Sequence, residues 1–283
     1  MTEFKDVLSL SPLRKYVKSE GFKQPTDVQA QAIPRLLAGK SLSVLAQTGS
    51  GKTLAYALPV VQMLKKLEKQ KDYQEPAPRT PTAWIICPTH ELGAQVEQVF
   101  KSIAHKAKLR VRLVKKGTTQ KQTRSSMSGV IDVLIGSPNR ILEAIKSGGL
   151  KPDGARYLIF DEADQLFDAS FLPDAKALVS RLLSPELQVG LFSATRPATF
   201  GDIRRDAFPG VKFEEIELQG SHTLKDNIAT TNYTIPFKFK PENAAELLKT
   251  LDGPGFVFVN LKRTAEALFE ALSKSLPRKW IYS

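Results

Sequence analysis

Two short stretches contain residue types whose spacing can do chemistry. AQTGSGKT occupies residues 46–53, directly after the apolar run SLSVL and before TLAYALPVVQML, which has the period of a helix. Small residues between a strand and a helix N-terminus let backbone N–H groups surround phosphate oxygens, and the helix dipole favours the same charge. A lysine in that position, Lys52, reaches the outer phosphates, and the hydroxyl of Thr53 can ligate Mg²⁺. The usual pattern opens with glycine. Ala46 stands there, followed by Gln47, Thr48, Gly49, Ser50 and Gly51, and a small residue suffices. A plain strand–turn–helix corner is the competing reading. The second stretch is YLIFDEADQLFD, in which an apolar strand delivers Asp161 and Glu162 at its carboxyl end. Alone, these acids could simply favour a helix N-terminus. Beside a phosphate loop they gain separate roles. A nucleotide-bound Mg²⁺ needs a carboxylate, directly or through water, which suits Asp161, and hydrolysis needs a second to orient water, which suits Glu162.

Such groups must be held by a sheet, and the chain supplies one. Apolar runs at 41–46, 82–87, 109–114, 130–135, 156–160 and 187–192 read as buried strands. They alternate with helical patterns such as ELGAQVEQVFKSIA and NRILEAIKSGG. Alternation of this kind predicts an α/β fold, a parallel sheet with helices on both faces, in which ligands bind beyond the carboxyl ends of the strands. The polar, proline-rich segment 69–81 reads as a surface loop.

Composition sets further bounds. At 283 residues the chain suits about two domains. It carries 41 Lys+Arg against 29 Asp+Glu, a net charge of +12 that favours a polyanionic partner such as nucleic acid. One cysteine excludes a disulfide framework and fits a reducing compartment. No run approaches the length of a membrane span and no leader is legible, so a cytoplasmic, membrane-free protein is expected.

The order of motifs resembles the DEAD-box ATP-dependent RNA helicases. Asp161-Glu162-Ala163-Asp164 spells the motif that names the family. GFKQPTDVQ (21–29) is similar to its Q motif, with Phe4 as the upstream aromatic, and AQTGSGKT to its phosphate loop. PTHEL (88–92) and SPNR (137–140) stand where the family has PTREL and TPGR, Ser193-Ala194-Thr195 is its SAT motif, and FVFVN (256–260) resembles the first motif of its second domain. The resemblance implies a RecA-like, P-loop NTPase domain over 1–216, a linker over 217–229 and the start of a second RecA-like domain over 230–283. It also implies ATP and Mg²⁺ as cofactors. Gln29 would read adenine, its carboxamide matching the N6/N7 edge, and Phe22 would stack on the base. Ser193 and Thr195 would hydrogen-bond Asp164, tying nucleotide state to domain closure.

RNA is the implied partner, held through its backbone without sequence readout. Pro88, Thr89, His90, Glu91, Gly117, Ser137, Pro138 and Arg140 are the implied contacts. Residues 98–131 add nine Lys or Arg and no acid, read either as a phosphate-binding surface or as a solvated face. Departures from the family collect on this side. His90 replaces an arginine, Gly93 an alanine, Asn139 a glycine, and the paired glycine reads Lys116-Gly117. A second departure is expected at the end, where TTNYTIPF, a helix from Pro241, the strand GFVFVN, a helix to about Lys274 and RKWIYS cannot complete a two-faced sheet. Three functions follow from these residues: an RNA helicase of reduced activity, a nucleotide-responsive RNA-binding module without turnover, or a DNA-directed translocase. The DEAD spelling and the Q motif argue against the last.

Overall fold

The computed structural model describes residues 3–115, 119–218, 240–250 and 256–275. They fall into two units, Met1–Leu224 and Lys225–Ser283. The first unit is a seven-stranded sheet in the order β3-β4-β2-β5-β6-β1-β7, with every pairing parallel. Its strands are β1 (Ser41–Leu45), β2 (Ala83–Ile86), β3 (Val111–Leu113), β4 (Val133–Gly136), β5 (Tyr157–Asp161), β6 (Gln188–Ser193) and β7 (Phe213–Glu217).

Side chains alternate across a strand, and the sheet builds a core on each face accordingly. Ala83 and Ile85 of β2 face one cluster, while Trp84 and Ile86 face the other. The first cluster is completed by α1 (Phe4–Val7), α2 (Ser11–Ser19), α3 (Asp27–Leu37), α4 (Lys52–Leu67) and α5 (His90–Ala107). On the opposite side lie α7 (Pro138–Lys146), α8 (Ala163–Leu166), α9 (Leu172–Leu182) and α10 (Phe200–Ala207), while α6 (Gln120–Ser126) precedes β4. No helix among the described residues is long and apolar enough to cross a membrane.

The expected α/β fold is therefore present, with one strand more than the apolar runs indicated. β7 reads FEEIE and pairs with β1 alone, at the edge of the sheet. Its acids meet cations: Glu214 pairs with Arg35 and Lys40, Glu215 with Arg196 and Arg204, and Glu217 with Arg196. Charged side chains on an edge strand discourage pairing with another chain, and they hide the strand from a search for apolar runs. The expected linker from 217 is corrected at its start. Glu217 is still in β7, and Leu218 N–H donates to Leu45 O at 3.1 Å.

In the second unit, α11 (Lys240–Lys249) and α12 (Lys262–Ser275) pack on each other through Ala244, Leu248, Leu268, Ala271 and Leu272. The helices expected from Pro241 and to about Lys274 are thus found. The strand expected at GFVFVN is not formed over residues 256–260, where Phe256 is 93% and Phe258 91% exposed. An apolar run becomes a strand only with a neighbour to pair with, and the described residues of this unit offer helices alone. TTNYTIPF and RKWIYS lie outside the described residues.

Candidate nucleotide and nucleic-acid sites

Strand order brings the two chemical stretches together. β6 lies between β1 and β5, and its register sets Leu45 opposite Ser193 and Phe192 opposite Asp161. The carboxyl ends of three adjacent strands therefore carry the phosphate-loop sequence, the SAT residues and the acidic motif side by side.

The loop has the conformation its residues permit. Gly49 (φ 79°) and Gly51 (φ 93°) are left-handed, and Gly51 caps α4. The left-handed backbone demands glycine at Gly51, and a Cβ there would lie 2.4 Å from Gln29 Nε2 and displace that side chain. Gln29 is buried and anchors this approach. Its Oε1 accepts from Thr26 N–H at 3.1 Å, closing a capping box at the start of α3, and its Nε2 donates to Gly51 O at 3.2 Å. A carboxamide has two donors and two acceptor lone pairs, so one of each remains.

Lys52 is buried, and its Nζ donates to Ala46 O at 2.7 Å across the loop. Burial pushes its ammonium below the usual value, against the pull of Glu162, Asp161 and Asp164. Asp161 is also buried. Its Oδ2 accepts from Tyr56 at 2.8 Å and its Oδ1 from Glu162 N–H at 3.2 Å. Desolvation raises its carboxyl above the ordinary range, opposed by those two bonds and by Lys52. Half-buried Glu162 is raised for the same reason, and it adopts φ 55°, a left-handed conformation rare outside glycine. Backbone strain of this kind, about 1–3 kcal/mol, collects where function fixes a side chain.

The SAT motif divides. Thr195 donates to Asp164 Oδ2 through its N–H at 2.9 Å and its Oγ1 at 2.5 Å, as expected. Ser193 does not reach Asp164. It is the buried last residue of β6, and its Oγ donates to Val44 O of the neighbouring β1 at 3.4 Å. Of the base-binding candidates, Phe4 is buried in the core while Phe22 is 42% exposed. They line one cavity of about 610 Å³ with Arg14, Lys18, Lys23 and Gln24.

These residues fit a magnesium nucleotide. The buried Ser50 Oγ has no hydrogen-bond partner, two left-handed glycines open the loop, and Lys52 supplies the cation. Thr53 and Asp161 offer oxygen donors, the kind Mg²⁺ takes alongside phosphates and water. Among the described residues no cluster of three or more His, Cys, Asp or Glu could hold a metal by itself.

The expected RNA contacts also converge. Pro88, Thr89, His90, Glu91, Ser137 and Arg140 line one cavity of about 260 Å³, at the N-termini of α5 and α7. Thr89 caps α5 by accepting from Leu92 N–H at 3.2 Å, and Pro138 begins α7, buried beneath. Two helix N-termini facing one cavity favour an anion. Asn139 fills part of the space, its Oδ1 accepting from Ser137 Oγ at 2.7 Å and from Arg140 N–H at 2.8 Å, and Arg140 pairs with Glu143. Gly117 and Lys116 lie outside the described residues. The basic stretch is partly occupied within the protein. Arg110 binds buried Asp132 through Nε and Nη2 at 2.9 Å and Glu75 at 2.6 Å, Lys101 pairs with Glu97, and Arg124 donates to Ser147 O.

Two polar residues of α4 escaped sequence reasoning. Gln62 Oε1 accepts from Ser9 and Leu10 N–H at 2.8 and 3.1 Å, fastening the N-terminal segment. Tyr56 bonds Asp161. The only sequence signal for either was a polar atom inside an apolar helical run.

Comparison with known proteins agrees with this geometry. The DEAD/DEAH box helicase family profile matches residues 26–203. Over 265 residues, 89% of this chain and 42% of the relative, the sequence is 32% identical to DEAD-box ATP-dependent RNA helicase 39 of Arabidopsis thaliana. It is 28% identical to the ATP-dependent RNA helicase DeaD of Escherichia coli over 97% of this chain and 42% of that protein. A crystal structure of a hypothetical ATP-dependent RNA helicase from Sulfolobus tokodaii superposes with a TM-score of 0.62 at 29% identity, covering 73% of this chain and 56% of that one. A DEAD box protein from Methanococcus jannaschii shares the fold, with a TM-score of 0.67 at 24% identity over 97% of this chain and 71% of that one. The chain spans less than half the length of the curated relatives.

Proposed function

Because the chain belongs to the DEAD/DEAH box helicase family, we propose that it binds ATP with Mg²⁺ and couples that binding, and hydrolysis, to RNA as an ATP-dependent RNA helicase does. The observation that supports this most is the convergence of Lys52, Asp161 and Glu162 at the ends of the two strands that flank β6, with Thr195 bonded to Asp164. In this reading the first unit is the ATP-binding domain. Loop N–H groups and Ser50 hold phosphate oxygens, and Lys52 exchanges its bond to Ala46 O for the outer phosphates. Asp161 and Thr53 would hold Mg²⁺, which neutralises charge on the transferring phosphoryl group. Glu162, poised above its ordinary pKa, takes a proton from attacking water. Gln29 spends its remaining donor and acceptor on adenine, and the exposed Phe22 stacks on the base.

RNA takes the cavity at the N-termini of α5 and α7 through its phosphates, without base readout. Thr195 and Asp164 link the nucleotide side to whatever closes on it.

Titrating the chain with ATP and GTP in Mg²⁺, then measuring hydrolysis with and without RNA, tests the proposal. It expects preference for ATP and stimulation by RNA. Binding without turnover would replace the helicase reading with that of a nucleotide-responsive RNA-binding module. Equal binding of ATP and GTP would remove the adenine roles of Gln29 and Phe22, and no nucleotide binding at all would sink the proposal.

A further inference from the structure

The phosphate-loop chemistry leaves one polar group of α4 without a task. Tyr56 is fully buried, its ring packed on Phe192 and Phe100 at centroid distances of 5.1 and 6.2 Å. Phenylalanine would serve that packing equally well. The hydroxyl costs free energy to bury unless it is bonded, and its partner is specific. It donates to Asp161 Oδ2 at 2.8 Å, so a side chain of α4 fastens an oxygen donor assigned to Mg²⁺ at the end of β5.

We propose that Tyr56 is a positioning residue of the divalent-cation site, its hydroxyl holding the Asp161 carboxylate in one orientation. The inference rests on the nucleotide reading above. By donating to Asp161, the phenol fixes the carboxylate's orientation. Outer partners of metal-ligating groups typically change metal affinity by about 10–100-fold.

Tyr56→Phe removes only the hydroxyl. Binding of a fluorescent ATP analogue is titrated against Mg²⁺, and separately in EDTA, for the native chain and the variant. The variant should melt with the native protein and bind the analogue equally in EDTA, while its Mg²⁺ midpoint rises about tenfold at the low end of that range. Asp161→Asn should raise the midpoint by itself, and adding Tyr56→Phe should raise it no further, because Tyr56 acts through Asp161. An unchanged midpoint overturns the inference and leaves the nucleotide reading standing. So does an equal shift in the Asp161→Asn background, or a metal-free affinity that falls together with the melting temperature. A native chain that binds no nucleotide at any Mg²⁺ concentration overturns the nucleotide reading, and this inference with it.

Discussion

The two ends of the sheet's ligand-facing rim are built differently. On the nucleotide side, Lys52, Asp161 and Gln29 are buried, and each is held by named partners from another element. On the side of α5 and α7, the candidate groups lie at the surface, and several cations are already committed to the protein's own acids and carbonyls. The first region is preorganised: its charges face one another in low dielectric, where small displacements are expensive. The second relies on charges screened by solvent and salt. Departures from the family's spelling, His90 and Asn139, fall in the second, where a substitution disturbs less. Variants should therefore have large and specific effects in the first region and small, additive ones in the second.

Lys52→Ala gives the largest expected effect. Truncating one partner of a buried charge pair across a binding interface costs about 2–5 kcal/mol, and Lys52 is the cation proposed to meet the outer phosphates. ATP affinity should fall by roughly 10²-fold or more, with the melting curve nearly unchanged. Native affinity in a calorimetric titration would break the comparison at its strongest point. Glu162→Gln should come next. It keeps the shape and loses the base, so hydrolysis should drop by about 10²-fold while binding persists. A loss of binding as severe as that of Lys52→Ala would show that the two residues do not divide their work.

The same contrast governs how far the sequence could be read. Six strands were legible because each is a largely apolar run, buried on both faces in all but β3, where Arg112 is exposed, whereas β7 was hidden by the acids that protect an edge. AQTGSGKT and DEAD announced their chemistry through residue type and spacing, which local structure alone preserves. The capping box of Thr26 and Gln29 was also local, and it explains why a glutamine stands there even before adenine is considered. What stayed hidden was tertiary. Tyr56 and Asp161 are 105 residues apart, and only the strand order joins them. Ser193 and Thr195 look equivalent in a tripeptide, yet Ser193 is still in β6 and bonds β1, while Thr195 lies past the strand's end and reaches Asp164. FVFVN was overread for the converse reason, since its apolar pattern promises a strand and supplies no partner.

Asp132 sharpens the comparison at its boundary. It lies at the foot of β4, buried, and accepts from Arg110 N–H at 2.6 Å and from the guanidinium at 2.9 Å. Arg110 in turn reaches Glu75 in the proline-rich segment, so this cation ties a loop to the sheet. Asp132→Asn should lower stability by about 2 kcal/mol, read as a shift in the denaturation midpoint, and leave the salt dependence of RNA binding unchanged. A change in salt dependence without loss of stability would make Arg110 an RNA ligand and not a structural tie.

The smallest effect is expected from the exposed lysines of the same stretch. Lys115 follows β3 and Lys121 lies in α6, both exposed. If RNA phosphates approach this face, each lost contact should reduce the slope of log affinity against log salt by about 0.7 on a single strand. Lys115→Ala with Lys121→Ala should then flatten it by roughly 1.4, equally for RNAs of different sequence and with ATP affinity and melting temperature unaltered. Filter binding across a salt series measures this directly. A slope identical to that of the native chain would make the stretch a solvated face, and would confine RNA to the cavity at the N-termini of α5 and α7. A flattening that depended on RNA sequence would contradict backbone recognition itself, because phosphates are the same in every RNA.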